Sequence, residues 1–158
     1  MAHAIPQPSR SCPRFVMGSL RLAAAVYAFA RRAARGRRLA YAMIAEPVDA
    51  AIDDARLVYR KALGEVFLRL VSEGVGNGEL PPQDAAISAA CIVGACLEGL
   101  VGPLAPQAAS IHDAGVGLAE SIARFCLRAV GCDPAVAVDI ISRGGSDRWS
   151  VTAPPPPA

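Results

Sequence analysis

Residues 83–104 read QDAAISAACIVGACLEGLVGPL. Between Asp84 and Pro103 only Ser88 and Glu98 carry polar side chains. A helix apolar on every side either spans a membrane or is enclosed by its own domain and a partner. Residues 85–104 would extend about 30 Å as a helix, so length alone permits a span. Three features oppose it. Glu98 sits two-thirds of the way along, where a carboxylate in lipid is costly. Asp84 precedes the run, and no lysine or arginine flanks either end. The side chains are mostly alanine, glycine and cysteine, which give little drive into lipid. Small residues instead form two lines, Ala86, Ala90 and Gly94 beside Cys91, Ala95 and Gly99, where backbones can approach closely. Ile87, Ile92, Val93, Leu97, Leu100 and Val101 supply bulk elsewhere. The stretch reads as a helix packed against its own domain and against a second copy.

On the C-terminal side, Gly102-Pro103 and Pro106 end this helix. Ser110, with Asp113 three residues on, caps the next. Its stripe is Ile111, Gly115, Leu118, Ile122, Cys126 and Ala129, at helical spacing, and Gly131 suits the position just past its end. Two such helices from each of two chains make a four-helix interface, here drawn from Ile87, Cys91, Gly94, Ala95, Glu98, Leu118, Ile122 and Phe125. Arg124 or Arg128 is the expected ion partner of Glu98. Asp133-Pro134 can open one more short helix to about residue 142. Gly144-Gly145 and the run PPPP then read as tail.

On the N-terminal side, Pro81-Pro82 launches the opening helix, with Asp84 expected in its first turn. The turn before it, Gly76-Asn77-Gly78, closes the longest helix, expected over about 47–74. There Ile52, Ala55, Tyr59, Ala62, Val66 and Leu70 form the buried stripe. Asp53, Arg56, Arg60, Lys61, Glu65, Arg69 and Glu73 form the solvated face, with i,i+4 pairs such as Arg69–Glu73. Earlier still, a short helix is expected over 37–45, ended by Glu46-Pro47, and a first helix over 14 to about 34. Five arginines, Arg31, Arg32, Arg35, Arg37 and Arg38, lie at their junction. Cations suit a helix end, but five within eight positions exceed what a cap needs and also suit an anionic partner. Residues 1–13 hold three prolines and no periodicity.

The chain has 158 residues, 53% hydrophobic, 19% charged and 5% aromatic, with net charge +2. That charge is too small to argue for nucleic acid from the whole-chain field. Five cysteines, Cys12, Cys91, Cys96, Cys126 and Cys132, lack CxxC spacing and read as small buried hydrophobes in a reducing compartment. No secretory signal is evident, so the expected location is the cytoplasm. The only histidines are His3 and His112. No zinc-protease, nucleophile-elbow, dinucleotide or phosphate-loop motif occurs, so neither enzyme, metal nor cofactor is expected. Tyr27, Tyr41, Met43, Tyr59 and Phe67 lie on the first three helices, expected to surround the fourth. Tyrosines and a methionine there suit an adaptable apolar pocket, although aromatic residues at helical spacing also form plain core.

The run RGRRLAYAMIAEPVDAAIDDARLVYRKALGEVFLRLVSEGVGNGELPPQDAAISAACIVGACLEGLVGPLAP, followed by ESIARFCLRAVG, resembles the C-terminal regulatory domain of TetR/AcrR-family transcriptional regulators. The likeness covers about residues 15–131. It implies an all-α bundle of about five helices that binds a small apolar or amphipathic effector and forms a homodimer through its last two long helices. It implies a regulatory domain over 14–131, between an irregular segment 1–13 and a largely disordered tail 132–158. The family's DNA-binding head, with its glycine, tyrosine and phenylalanine signature, has no counterpart ahead of the first helix. The expectation is therefore no specific operator binding by this chain alone and no membrane. It is either a truncated or mis-started regulator or a headless one that can also pair with intact regulators. The alternative is a helical interaction protein that binds DNA or an anionic surface through Arg31–Arg38.

Overall fold

A computed structural model describes residues 17–44, 47, 49–101 and 114–144. Among them six helices form: α1 (Met17–Arg35), α2 (Arg37–Ile44), α3 (Ala50–Gly76), α4 (Ala85–Leu100), α5 (Ala114–Ala129) and α6 (Pro134–Gly144). The described residues include no strand. The protein is all-α.

The hub is α1, not α4. Leu22, Ala23, Val26, Ala30 and Ala33 recur at helical spacing and are all buried. Small alanines between the bulky residues let α1 meet α3, α4, α5 and α6 at once, with α5 its most extensive neighbour. Its first turn is capped from a distant loop. The Glu79 carboxylate accepts from the Gly18 amide (3.0 Å) and the Ser19 amide (2.9 Å). Those amides have no intrahelical partner, and a carboxylate there also meets the positive end of the helix dipole. Arg21 of α1 pairs with Glu73 of α3 at 2.7 Å, so Glu73 bridges two helices rather than pairing along its own.

Helical hydrogen bonding continues from α1 towards α2 across Gly36, whose amide donates to the Arg32 carbonyl and whose carbonyl accepts from Ala40. Arg56 of α3 is buried, contrary to its expected place on the solvated face. It donates to the Ala42 carbonyl in the last turn of α2. The end of a helix offers carbonyls without partners, and a guanidinium satisfies them with charge assistance.

Helix α3 starts at Ala50 rather than at Pro47, because Asp49 takes the cap and accepts from the Ile52 amide at 3.0 Å. Its expected stripe is corrected as well. Of those six residues only Leu70 is buried; Ile52, Ala55, Tyr59, Ala62 and Val66 are exposed. The buried line runs through Arg56, Phe67, Leu70, Val71 and Gly74, roughly a quarter turn around the axis. Close approach decides it. A Cβ at Gly74 would lie 2.8 Å from Leu80 Cδ1, and the Gly74 carbonyl accepts from both Glu79 (2.9 Å) and Leu80 (3.0 Å). Gly78, at φ +72°, turns the chain back so that Leu80 seals the end of α3.

Helix α4 is 16 residues long, about 24 Å. No helix among the described residues is long and apolar enough to cross a membrane. Asp84 is its N-cap, one position earlier than expected, accepting from Ala86 (2.9 Å) and Ile87 (3.1 Å). Only one face is buried within the chain: Ala89, Ile92, Cys96 and Leu100.

Helix α5 buries Ala119, Ile122, Ala123, Cys126 and Leu127. The expected Ser110 cap lies outside the described residues. At its other end Cys132 donates to the Leu127 carbonyl and Gly131 to that of Arg128, both at 3.0 Å. This is a Schellman end with Gly131 left-handed at φ +82°. A Cβ there would also strike Pro81 Cγ at 2.5 Å.

The short helix expected from Asp133-Pro134 to about residue 142 forms as α6 (Pro134–Gly144). Asp133 caps α6 through Ala135 (2.8 Å) and Val136 (3.2 Å). Ala137, Ile140 and Ile141 are buried, with α6 packed on α5 and α1. Residues 145–158 lie outside the described residues.

Candidate subunit interface

Helices α4 and α5 run antiparallel. Gln83, just before α4, donates to the Val130 carbonyl at the end of α5 (2.8 Å), and its side-chain oxygen accepts from Ser88 (2.7 Å). Toward the other end of α4, a Cβ on Gly99 would lie 3.2 Å from Ile122 Cδ1. The missing side chain lets the two helices close on each other there.

On the outer side of this pair lies an apolar groove of about 800 Å³. Ile87, Cys91, Gly94, Ala95 and Glu98 form one wall, Leu118 and Phe125 the other, and Ile122 also lines it. All eight residues assigned to an interface from sequence line this one groove. Ile122 is its floor, buried within the chain. Ile87 and Phe125 stand on opposite walls, 63% and 61% exposed. Gly94 is exposed, and a Cβ added to it would meet nothing within 4 Å. Ala86 and Ala90, on the same line as Gly94, are exposed too. Among the described residues, no neighbour requires this line to be small.

A polar rim adjoins the groove. Ser121, Arg124, Phe125, Arg128 and Ala129 line a second hollow of about 490 Å³. Arg124 and Arg128 are exposed there, while Glu98 is half-buried on the α4 wall.

The four cysteines among the described residues are free thiols. Cys96, Cys126 and Cys132 are buried, as small hydrophobes should be, but Cys91 is exposed in the groove. The neighbouring Cys126 thiol, and after it burial, push the Cys96 thiol up. Cys126 moves the opposite way, because the influence of Cys96 favours its thiolate and outweighs burial. Cys132 is raised mainly by burial, with a hydrogen bond to Ser19 working against it.

The residues expected to line an effector pocket do not converge. Phe67 is fully buried in the core, Tyr27 is half-buried against it, and Tyr41 and Tyr59 are exposed. The Met43 side chain lies outside the described residues. Of the other four, none lines either hollow described above. Of the arginine cluster, Arg32, Arg35 and Arg38 are exposed and Arg31 is half-buried, while the Arg37 side chain lies outside the described residues. Among the described residues no group of three His, Cys, Asp or Glu side chains could hold a metal ion.

Sequence reasoning missed the Glu79 clamp and the buried Arg56. Glu79 had a signal: an acidic residue directly after an Asn-Gly turn, two residues before a pair of prolines. The Arg56 contact is tertiary, and spacing does not encode it. Compared with protein-family models, curated proteins and solved structures, the chain has no significant match in any of the three.

Proposed function

We propose that this chain is a dimerising regulatory domain of the TetR/AcrR type, pairing with a second copy through the α4–α5 groove. The observation that supports it best is the exposed small line at Gly94, set between the exposed apolar side chains of Ile87 and Phe125. Glycine inside a helix destabilises it by about 1 kcal/mol relative to alanine. At Gly99 that cost is offset by contact with α5; at Gly94 a second chain supplies the equivalent contact. Two helices from each copy form a four-helix interface, self-complementary about a two-fold axis. The effector half of the proposal, a small apolar or amphipathic ligand whose binding shifts the dimer between states, rests on the family resemblance.

Size-exclusion chromatography with light scattering tests the pairing. The expected mass at micromolar concentration is twice the 16.3 kDa of one chain, returning to a single chain in Phe125→Glu. A monomer at every accessible concentration overturns it.

A second reading has its own observation. Arg31, Arg35 and Arg38 are four and three residues apart along a segment whose helical hydrogen bonds continue across Gly36, and Arg32, Arg35 and Arg38 are exposed. Such a basic strip suits the phosphates of DNA or another anionic surface. Binding would then fall steeply with salt. The triple change of Arg31, Arg35 and Arg38 to alanine should abolish it, and unchanged binding excludes the strip.

A further inference from the structure

The apolar groove along α4 and α5 is continuous with the second hollow, since Ser121, Phe125 and Ala129 line both. Arg124 and Arg128 stand in that hollow, four residues apart on α5 and both exposed. At this spacing two side chains leave a helix on the same face, about 5–6 Å apart at Cβ, and like charges so placed repel. Neither arginine takes part in an ion pair among the described residues. The carboxylate on the groove wall, Glu98, lies towards the far end, where Gly99 meets Ile122, and is engaged within the chain. An apolar trough of about 800 Å³ thus opens at one end into a cationic hollow of about 490 Å³. Sites for small ligands are of this kind, about 300–1,000 Å³, mostly apolar, with a few polar groups that set orientation.

We propose that groove and hollow form one binding site for a single-chain amphipathic anion of the fatty-carboxylate class. Its hydrocarbon chain lies along α4 and α5, and its head sits on Arg124 and Arg128. The negative head relieves the repulsion between the two guanidiniums, each of which donates charge-assisted hydrogen bonds to it. The chain displaces water from Ile87, Cys91 and Phe125, which the fold leaves exposed. The direction is set as well. A head at the opposite end would meet the Glu98 carboxylate, and like charges oppose that orientation. The ligand occupies the face proposed above for a second copy, so its regulatory consequence rests on that pairing: chain and copy need the same residues, and occupancy drives a dimer towards single chains. The binding itself does not rest on it.

Isothermal titration calorimetry of the full chain with dodecanoate, below its micelle concentration, tests the site. A single dodecanoate per chain is expected, with an affinity that falls as salt rises. Uncharged dodecanol should bind on the order of 10-fold more weakly, a comparison that needs no variant. Changing Arg124 and Arg128 together to alanine should weaken dodecanoate by about the same factor and leave dodecanol unmoved. Gly94→Leu, where an added Cβ meets nothing within 4 Å, should fill the trough and weaken both. Absence of dodecanoate binding, equal binding of dodecanol, or an affinity unmoved by the arginine changes overturns the proposal. So does binding confined to phosphatidylglycerol vesicles, which marks a membrane surface instead. Light scattering in the same buffers separates the site from the pairing. A mass that falls from two chains to one as dodecanoate saturates supports both. A single chain throughout overturns the pairing alone, and calorimetry still decides the site. A two-chain species saturated with dodecanoate puts the ligand elsewhere and overturns the site.

Discussion

Helices α3 and α4 each bury one line of residues and leave a second apolar line exposed, and the two exposed lines differ in shape. On α3, Ile52, Tyr59 and Val66 stand out from a single helix. On α4, Ile87, Cys91 and Gly94 face α5 across a concave groove with small residues at its wall and Ile122 at its floor. Scattered exposed apolar side chains are ordinary on protein surfaces. A concave apolar surface built by two helices is different, because a partner can be surrounded there and water displaced from both walls. The comparison sets the α4–α5 groove apart by shape as well as by hydrophobicity.

The largest effect should separate the two lines of α3 itself. Phe67→Ala removes a fully buried ring and should cost about 3–5 kcal/mol in a urea titration. Tyr59→Ala, two turns earlier on the same helix but 49% exposed, should cost less than about 1 kcal/mol. Equal losses would mean that the expected stripe is buried after all. Next in size is the groove. Ile87→Glu should weaken self-association by on the order of 100-fold in sedimentation equilibrium, with little change in chain stability. Val58→Glu, on the exposed part of α3, should leave association unchanged, and a loss there would move the interface to α3. Smallest is the clamp beside these helices. Glu79→Ala should lower stability by about 1–2 kcal/mol, the ordinary cost of losing a helix cap. A null result would show that water replaces the carboxylate without loss.

The same periodicity rule gathers residues onto one surface on α4 and misplaces the buried line on α3, for physical reasons. Around α4 the small residues and Glu98 distinguish the faces, so the residues assigned to an interface share one surface. Around α3, apolar residues occupy more than one face, and spacing alone selects the longer run. The choice falls instead to Phe67, which enters the core, and to Gly74, where Leu80 approaches too closely for a side chain. Caps and ends were legible where their chemistry is local. Gly131 needs a left-handed backbone, and the Asn77-Gly78 pair turns the chain. Arg56 was not, because a guanidinium on a helix reads as solvated until another helix ends beside it. The aromatic residues proposed for a pocket went their separate ways for a related reason. The first helix, rich in alanine, became the hub of the bundle, and Phe67 went into the common core.

The segment from Glu79 to Asp84 touches nearly every part of the fold. Glu79 holds the first turn of α1 and Leu80 closes α3. Pro81 lies against Gly131 after α5, Gln83 reaches Val130, and Asp84 starts α4. Amides in the first turn of a helix ordinarily exchange with solvent quickly, since nothing within the helix protects them. Gly18 and Ser19 are protected here by a side chain about 60 residues away. Their deuterium uptake therefore reports on the opening of that distant turn, and with it on the alignment of four helices, rather than on fraying of the helix they begin.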